Sequence, residues 1–514
     1  MNLGLAPLWR SGGRASWWAL FAGLLAGPAW GQAGLPSHGP MVGAVATDGA
    51  TVWARWDESG TARIRYRATG VADWTEGPEL PIGPEADRTG HFALPLLKAN
   101  TSYTYTLDFT DEAGETTRSP QAWFRTPMKL PTSLRFSVLA DFMNKERASP
   151  ALRAAATPRP DFLMVIGDLD HSDPAREPDT KSYYDEAEAE TVLTNMRRMR
   201  RQVRDPARPL GADFTKAIVT SKTAQQLQIP LYTVWDDHDF CMNGADGACP
   251  FGELARQVWR EYFVPARDNG FADPQGCGQT GPWQAFHWGQ LASFFLLDTR
   301  SHRDPAAGTQ LGACQKQWLL AGLAASTATW KFIVTPTTFH PGTKPWDAWG
   351  AFPGERAEML AAIEAGDIRN VLVLSADIHS GGALDDGTHA GLPEASVPHA
   401  NMPATWVNTY CRLDPQDKRL LLSAPGTWTL GGPLDPNLQG ELVSCLGTDY
   451  STKRVGPLPP PPYPLDGVNR AGFLQVEVSA TTATLRIMDA SGQVRRGVDS
   501  GGSPADLQLE FTAR

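Results

Sequence analysis

The chain has 514 residues, 42% of them apolar, and a formal net charge of −10. That length exceeds what one hydrophobic core usually holds, so at least two domains are expected. The acidic balance argues against a nucleic-acid-binding surface and suits a protein that binds cations.

Residues 1–31 read as a secretory signal. Arg10 and Arg14 give a positive start, residues 17–25 form an apolar run too short to span a bilayer, and Ala29-Trp30-Gly31 has a small-x-small cleavage pattern. An interfacial anchor helix is the competing reading. The signal region has no adjacent arginine pair and no cysteine just after its apolar run, and no later transmembrane stretch is found, so a Sec-type route to a secreted or periplasmic location is expected.

Residues 34–127 carry period-two alternation at 51–56, 62–67 and 102–109, bounded by Gly, Asp and Asn turns. This pattern predicts half-buried antiparallel strands in a small β-sandwich. Residues 97–103 resemble the tyrosine corner of fibronectin-type domains. No Asp, His or Cys cluster lies here, so packing or substrate positioning is the expected role.

After a Pro-rich linker at 127–131, residues 132–514 switch to buried strands alternating with helical segments, the pattern of an α/β domain. Apolar runs at 134–140, 162–166, 229–235, 293–297 and 371–375 read as strands. Each is followed by ionisable residues: Asp141; Asp168, Asp170 and His171; Asp236, Asp237, His238 and Asp239; Asp298 and Arg300; Asp377 and His379. Ligands of open α/β sheets bind outside the carboxyl ends of strands, so the five ends are expected to share one rim.

Residues 186–204 predict a helix carrying Arg197, Arg198, Arg200, Arg201 and Arg204, read as a solvated face, with an anionic substrate as the competing partner. Residues 314–325 and 355–365 predict further helices, and 457–464 a polyproline-type loop. Residues 471–478 and 482–487 predict a hairpin that completes a sheet. Six cysteines in an oxidising compartment suggest Cys241–Cys249, Cys277–Cys314 and Cys411–Cys445, although spacing alone leaves the connectivity open.

Any one of these aspartates is more often a turn or helix cap. Their recurrence after successive buried strands points to a metal site. Oxygen-rich sites with a few imidazoles suit calcium, magnesium, manganese or iron. Asp168 is the natural bridging carboxylate. Two cations about 3.5–4 Å apart would activate a water and clamp a phosphoryl group. His238 is a candidate to protonate the leaving oxygen, against a purely structural histidine. Arg300 is a candidate phosphate clamp, against a plain salt bridge. Asn243, Asp170 and His340 are weaker candidates, and Trp346 and Trp349 wall a pocket or fill a core. No GxSxG or GxxxxGK[ST] motif is present, so a serine hydrolase or NTPase has little support.

Residues 235–240 with Asn243, 298–304, 349–356 and 375–380 resemble the W-D-D-H-[DE], D-x-R, W-x-x-[YF]-P-x-x-R and S-G-D-[VI]-H-S blocks of the alkaline phosphatase D (PhoD-like) family, within the calcineurin-like metallophosphatase superfamily. Residues 39–45 and 52–56 resemble that family's N-terminal module. The resemblance implies a four-layer α/β/β/α metallophosphatase sandwich after a small fibronectin-like β-sandwich. It also implies a bimetal centre, with calcium and iron in some members. By match, Asp141 stands where many members have an iron-binding cysteine, Asp168 at the bridging aspartate, and His171 where many have a tyrosine. Asp237, Asp377 and His379 fall at or near further ligand positions. Loss of the thiolate and the phenolate favours calcium, manganese, magnesium or non-thiolate iron.

The expected protein is therefore a secreted, metal-dependent phosphoesterase that works through a metal-activated hydroxide on phosphate monoesters, diesters or both. The alternatives are a phospholipase D-type diesterase acting on lipid or polymer diesters, and a catalytically silent metal-containing surface-binding protein.

Overall fold

The computed structural model describes residues 34–143, 145–157, 159–178, 182–220, 227–266, 282–341, 347–378, 382–388, 390–401, 410–413, 420–421, 441–444, 453–454, 471–499 and 504–514. The expected signal segment, His379, Trp346, the 457–464 loop, Cys277 and the Cys411–Cys445 pairing lie outside the described residues.

The alternating segments near the N-terminus form two sheets. In one, Gly49–Arg55 pairs antiparallel with His38–Ala46 and with Thr89–Pro95. In the other, Gly60–Ala68 lies between Thr75–Ile82 and Ser102–Asp111, and the latter also pairs with Ala122–Arg125. Successive side chains of a strand face opposite ways, so one face of each sheet meets the other in a core of Val42, Val52, Ile64, Phe92, Tyr105 and Phe109. The tyrosine corner is present: the Lys98 N–H donates to the Tyr103 hydroxyl at 2.7 Å.

These sheets are joined to the rest of the chain. Trp123 of Ala122–Arg125 pairs in parallel with Leu227 of the following domain. The Tyr105 hydroxyl donates to Gln228 Oε1 at 2.6 Å, and Trp53 Nε1 donates to the Glu261 carbonyl at 2.8 Å. Met41 and Trp53 are buried in the same apolar cluster as Trp259 and Tyr262.

The α/β part has two facing sheets. One runs Leu231–Val234, Phe162–Ile166, Ser133–Leu139, Gly472–Ser479, Thr482–Asp489, Gln508–Thr512. Its first three strands are parallel. The expected hairpin adds antiparallel beside Ser133–Leu139, but it does not complete the sheet, because Gln508–Thr512 pairs beyond it as the edge strand. The other sheet is built on four parallel strands, Ala292–Leu296, Trp330–Thr335, Val371–Ser375 and Pro393–Ser396. Strands buried on both faces read as unbroken apolar runs, which is why they stood out in the sequence. Their inward side chains form a shared core in which Phe136 stacks on Phe162 at 4.9 Å and Phe294 on Phe332 at 5.0 Å. Each such ring contributes on the order of 2–3 kcal/mol by burial.

The outward side chains are covered by helices. Pro150–Ala155, Ala189–Arg204, Pro209–Ile218 and Gly252–Tyr262 pack on the first sheet, and Gly312–Ala325 and Pro353–Ala365 on the second. The result is the expected α/β/β/α sandwich.

The Ala189–Arg204 helix departs from expectation. Arg198 is exposed, but Arg200 and Arg204 are buried. Arg200 Nη1 donates to Asp239 at 2.6 Å, and Arg204 donates to the Tyr262 carbonyl at 2.7 Å while lying 4.4 Å from the Phe263 ring centre. Arg197 pairs with Glu261, and Arg201 with Asp87 of the sandwich. The basic run is thus neither a solvated face nor a substrate surface. It pins helix, sheet and sandwich together.

Cys241 and Cys249 form a disulfide that staples the segment leaving the acidic stretch. Cys314 is also disulfide-bonded.

Candidate metal centre

The five strand ends converge, but from two sheets. Asp141, Asp168 and the Asp236–Asp237 pair follow strands of the first sheet. Asp298, Arg300 and Asp377 follow strands of the second. The shared rim is therefore the mouth between stacked sheets.

Asp141, Asp168 and Asp377 have φ of 56°, 53° and 56°. A non-glycine residue held there costs roughly 1–3 kcal/mol, and aspartate is among the residues that tolerate the region. Gly167, just before Asp168, has φ +108°, and a Cβ on it would lie 2.7 Å from Asp236 Cβ. Only glycine lets the two strand ends approach so closely.

Three sets of side chains bring ligand atoms within 4.8 Å of one another: Asp168, His171 and His238; Asp141, Asp168 and Asp377; Asp168, Asp236 and Asp237. Asp168 belongs to all three. Both of its carboxylate oxygens are buried without a hydrogen-bond donor. Burial, and then Asp237, Asp236, Asp239 and Asp141, push its carboxyl well above the usual range.

His171 adds a second indication of a cation. Its Nδ1 lies 3.1 Å from the Phe142 carbonyl, which can only accept, so Nδ1 carries the hydrogen. A neutral ring then presents the lone pair of Nε2 to Asp168 Oδ2 at 3.2 Å. Two acceptors in contact require a proton or a cation between them. Oxygen and imidazole donors suit calcium, magnesium, manganese or iron, so the residues fit the expected metals.

Arg300 is fully buried. Its Nε donates to Asp236 Oδ1 and its Nη1 to Asp347 Oδ1 at 3.0 Å. Asp237 Oδ2 lies 3.7 Å away and Asp377 Oδ2 3.8 Å. Burial raises Asp236 to about 8 even with Arg300 beside it, whereas for Asp237 Arg300 and His238 overcome burial and bring it down to about 2. His238 Nδ1 lies 2.7 Å from Asp173 Oδ1, and its ring centre 4.5 Å from that of His171. Burial opposes its proton, but Asp237 and Asp173 lift it to about 9.

Residues 146–391 match the family described as "PhoD-like phosphatase". That stretch is similar to a PhoD-like phosphatase domain. Alkaline phosphatase D of Bacillus subtilis (strain 168) is 28% identical over 30% of this chain and 32% of that protein, so the match spans about a third of that relative's length. Among solved structures, "Structure of PhoD" superposes with a TM-score of 0.59 at 15% identity, covering 92% of this chain and 89% of the other. The purple acid phosphatase PPD1 from yellow lupin (Lupinus luteus) superposes at 0.52 with 12% identity, covering 93% and 75%. At these identities the superpositions establish the metallophosphatase fold.

The matched stretch contains Asp168, His171, Asp237, His238, Arg300 and Asp377, and Asp141 lies five residues before it. The weaker candidates stand apart from the grouped ligand atoms. Asp170 accepts from the Ser172 N–H and hydroxyl at 3.1 and 2.7 Å. Asn243 is exposed and donates its backbone N–H to Asp173 at 2.9 Å. His340 is buried and belongs to none of the three sets. Trp349 fills the outer core and donates Nε1 to Thr335 at 2.9 Å. Asp298 caps its own turn, accepting from the Arg300 and Ser301 N–H groups at 3.0 Å.

Sequence reasoning missed four carboxylates of this cluster: Asp173, Asp236, Asp239 and Asp347. Asp236 and Asp239 lie inside the quoted acidic block, so their type was visible and their direction was not. Asp173 and Asp347 sit on connecting segments with no periodic pattern to mark them.

Proposed function

We propose that this chain hydrolyses phosphate monoesters, diesters or both at a two-metal centre, outside the cytoplasm. Asp141, Asp168, His171, Asp237 and Asp377 are the proposed ligands, with His379 as a further ligand carried from the sequence. The observation that carries this reading is the membership of Asp168 in all three carboxylate and imidazole groupings, the position a bridging ligand requires. The family match and the fold support the same chemistry.

Cations held there supply Lewis acidity, polarising a phosphoryl oxygen and making water acidic enough to serve as nucleophile near neutral pH. The chain's own groups do the rest. His238, protonated and oriented by Asp173, donates a proton to the leaving oxygen. Arg300, buried among Asp236, Asp237, Asp347 and Asp377, holds these carboxylates in place and screens their repulsion, which leaves the substrate charge to other groups. The donor set lacks a thiolate and favours calcium, manganese, magnesium or iron bound by oxygen and nitrogen. The expected signal segment and the Cys241–Cys249 disulfide support an oxidising, extracytoplasmic location. Among the described residues, no helix is long and apolar enough to cross a membrane.

The test compares hydrolysis of a nitrophenyl phosphate monoester and the bis-nitrophenyl diester by the metal-replete protein, with Asp168→Asn and His379→Ala alongside. Turnover that both variants lose supports the reading, and the ratio of the two rates assigns the preferred ester. No turnover on either ester, with calcium, manganese or iron supplied, overturns it.

A further inference from the structure

Asp239 closes the acidic block, yet its carboxylate points away from the grouped ligand atoms and into the backbone of two strand ends. Oδ2 accepts the Asp168 N–H at 2.8 Å and the Asp236 N–H at 3.2 Å. Oδ1 accepts the Leu169 N–H at 3.2 Å and Arg200 Nη1 at 2.6 Å. Arg200 Nη2 returns to the Asp239 carbonyl at 2.9 Å. Both side chains are buried, with exposures of 0% and 5%. One carboxylate thus satisfies three backbone N–H groups that lie past the ends of the first sheet's ladder, where buried donors need partners.

The bond to the Asp168 N–H has a specific consequence. Gly167 and Asp168 take φ of 108° and 53° in succession. A side chain in this sparsely populated region persists only when its surroundings over-determine it. The Asp239 carboxylate, itself held by a guanidinium from the helix layer, supplies that constraint. We propose that the Asp239–Arg200 pair is a positioning device for the metal centre: it locks the left-handed backbone of Asp168, and so the direction of the carboxylate common to every ligand grouping. The proposal rests on the metal-centre reading above. Outer residues that orient ligands typically control metal affinity about as strongly as they control activity.

The test uses the full metal-loaded chain and three variants: Asp239→Asn, Arg200→Lys, and Asp213→Asn as a control. Asp213 is an equally buried carboxylate that holds the Ser149 N–H at 2.7 Å and Arg153 at 2.6 Å, away from the ligand groupings. Manganese or calcium retention against a competing chelator is the first readout, the kcat and KM split the second, and Tm of the metal-free protein the third. Asp239→Asn is expected to weaken retention about 10–100-fold and to lower kcat at constant KM. Arg200→Lys is expected to weaken retention about tenfold, and Asp213→Asn to lower Tm without changing retention. Retention by Asp239→Asn within twofold of wild type overturns the proposal, as does an equal loss in Asp213→Asn. If Asp239→Asn does not fold, Arg200→Lys decides on the same criterion. A wild type that retains neither metal overturns the metal-centre reading itself, and this proposal with it.

Discussion

Asp173 Oδ1 lies 2.7 Å from His238 Nδ1, although the two residues are 65 apart in the chain. A carboxylate only accepts, so Nδ1 carries the hydrogen and Nε2 is the nitrogen available to the site. Asp173 is fixed in turn by the Asn243 N–H at 2.9 Å and Arg176 Nη1 at 2.9 Å. Despite burial, the bond to His238 lowers Asp173, while Asp237 and Asp173 together hold His238 at about 9.

His238→Gln is expected to lower kcat about 10²–10⁴-fold, the usual contribution of a positioned general acid. Asp173→Asn keeps the imidazole and removes the charge behind it. Its expected loss is smaller, about 10–100-fold. With one carboxylate gone the imidazolium loses its proton at lower pH, so the alkaline limb of the kcat–pH profile moves toward acid. A profile superimposable on wild type would show that Asp173 has no part in the proton's affinity.

Removal of metal reverses the sign of an Asp168 substitution. Without cations Asp168 is a buried carboxylate whose charge is opposed by burial and by Asp237, Asp236, Asp239 and Asp141. Asp168→Asn replaces that charge by a neutral group of the same shape. The metal-free variant is therefore expected to match or exceed wild type in Tm, while the metal-loaded variant loses both activity and the stabilisation by metal. Differential scanning calorimetry with and without chelator reads both signs. A metal-free variant several degrees less stable than wild type would contradict the charge argument.

Arg300→Ala strands Asp236 in the core without its guanidinium partner. Breaking a buried pair from one side costs about 3–5 kcal/mol. Adding Asp236→Asn removes the unpartnered carboxyl group and is expected to restore about half of the loss. Urea unfolding of the two single variants and the double variant gives the coupling directly, and additive losses would mean that the pair is not coupled.

Acid stability is expected to depend on His38 at the boundary between the sandwich and the α/β domain. Burial, aided by Arg55, lowers this imidazole to about 4. The unfolded chain, with an ordinary value near 6.5, binds the proton first as pH falls. Stability is therefore full above about 6.5 and is lost progressively toward 4, by about 3 kcal/mol at the low end. His38→Gln should flatten this part of the curve when Tm is followed from pH 7.5 to 4.5. Parallel wild-type and variant curves would exclude His38 as the titrating group.

The layers of this protein were legible because its central strands are buried on both sides. Runs such as Phe162–Ile166 and Val371–Ser375 show unbroken apolar character and end at an aspartate. The ligand groupings were legible for the same reason, since Asp141, Asp168, Asp237 and Asp377 each follow such a run. Which of three neighbouring carboxylates, Asp236, Asp237 or Asp239, turns toward a metal depends on a four-residue helix, Asp237–Phe240, whose start sequence pattern does not reveal. Arg300 was visible as a cation beside the site. Its burial against Asp347, 47 residues on, was not. The arginine helix carries its buried face in its spacing. Met196, Met199, Arg200, Val203 and Arg204 follow the i, i+3, i+4, i+7, i+8 spacing of a buried face, so Arg200 and Arg204 belonged with the core side from the start.

The parallel pairing of Trp123 with Leu227 makes the sandwich and the short strand Leu227–Gln228 of the α/β domain one continuous sheet. The bonds from Tyr105 and Trp53 cross the same boundary on the buried side. A linker flanked on both sides by such contacts is not a hinge. These contacts oppose a swing of the sandwich, so changes in substrate range are to be sought first in the loops that border the mouth between the sheets.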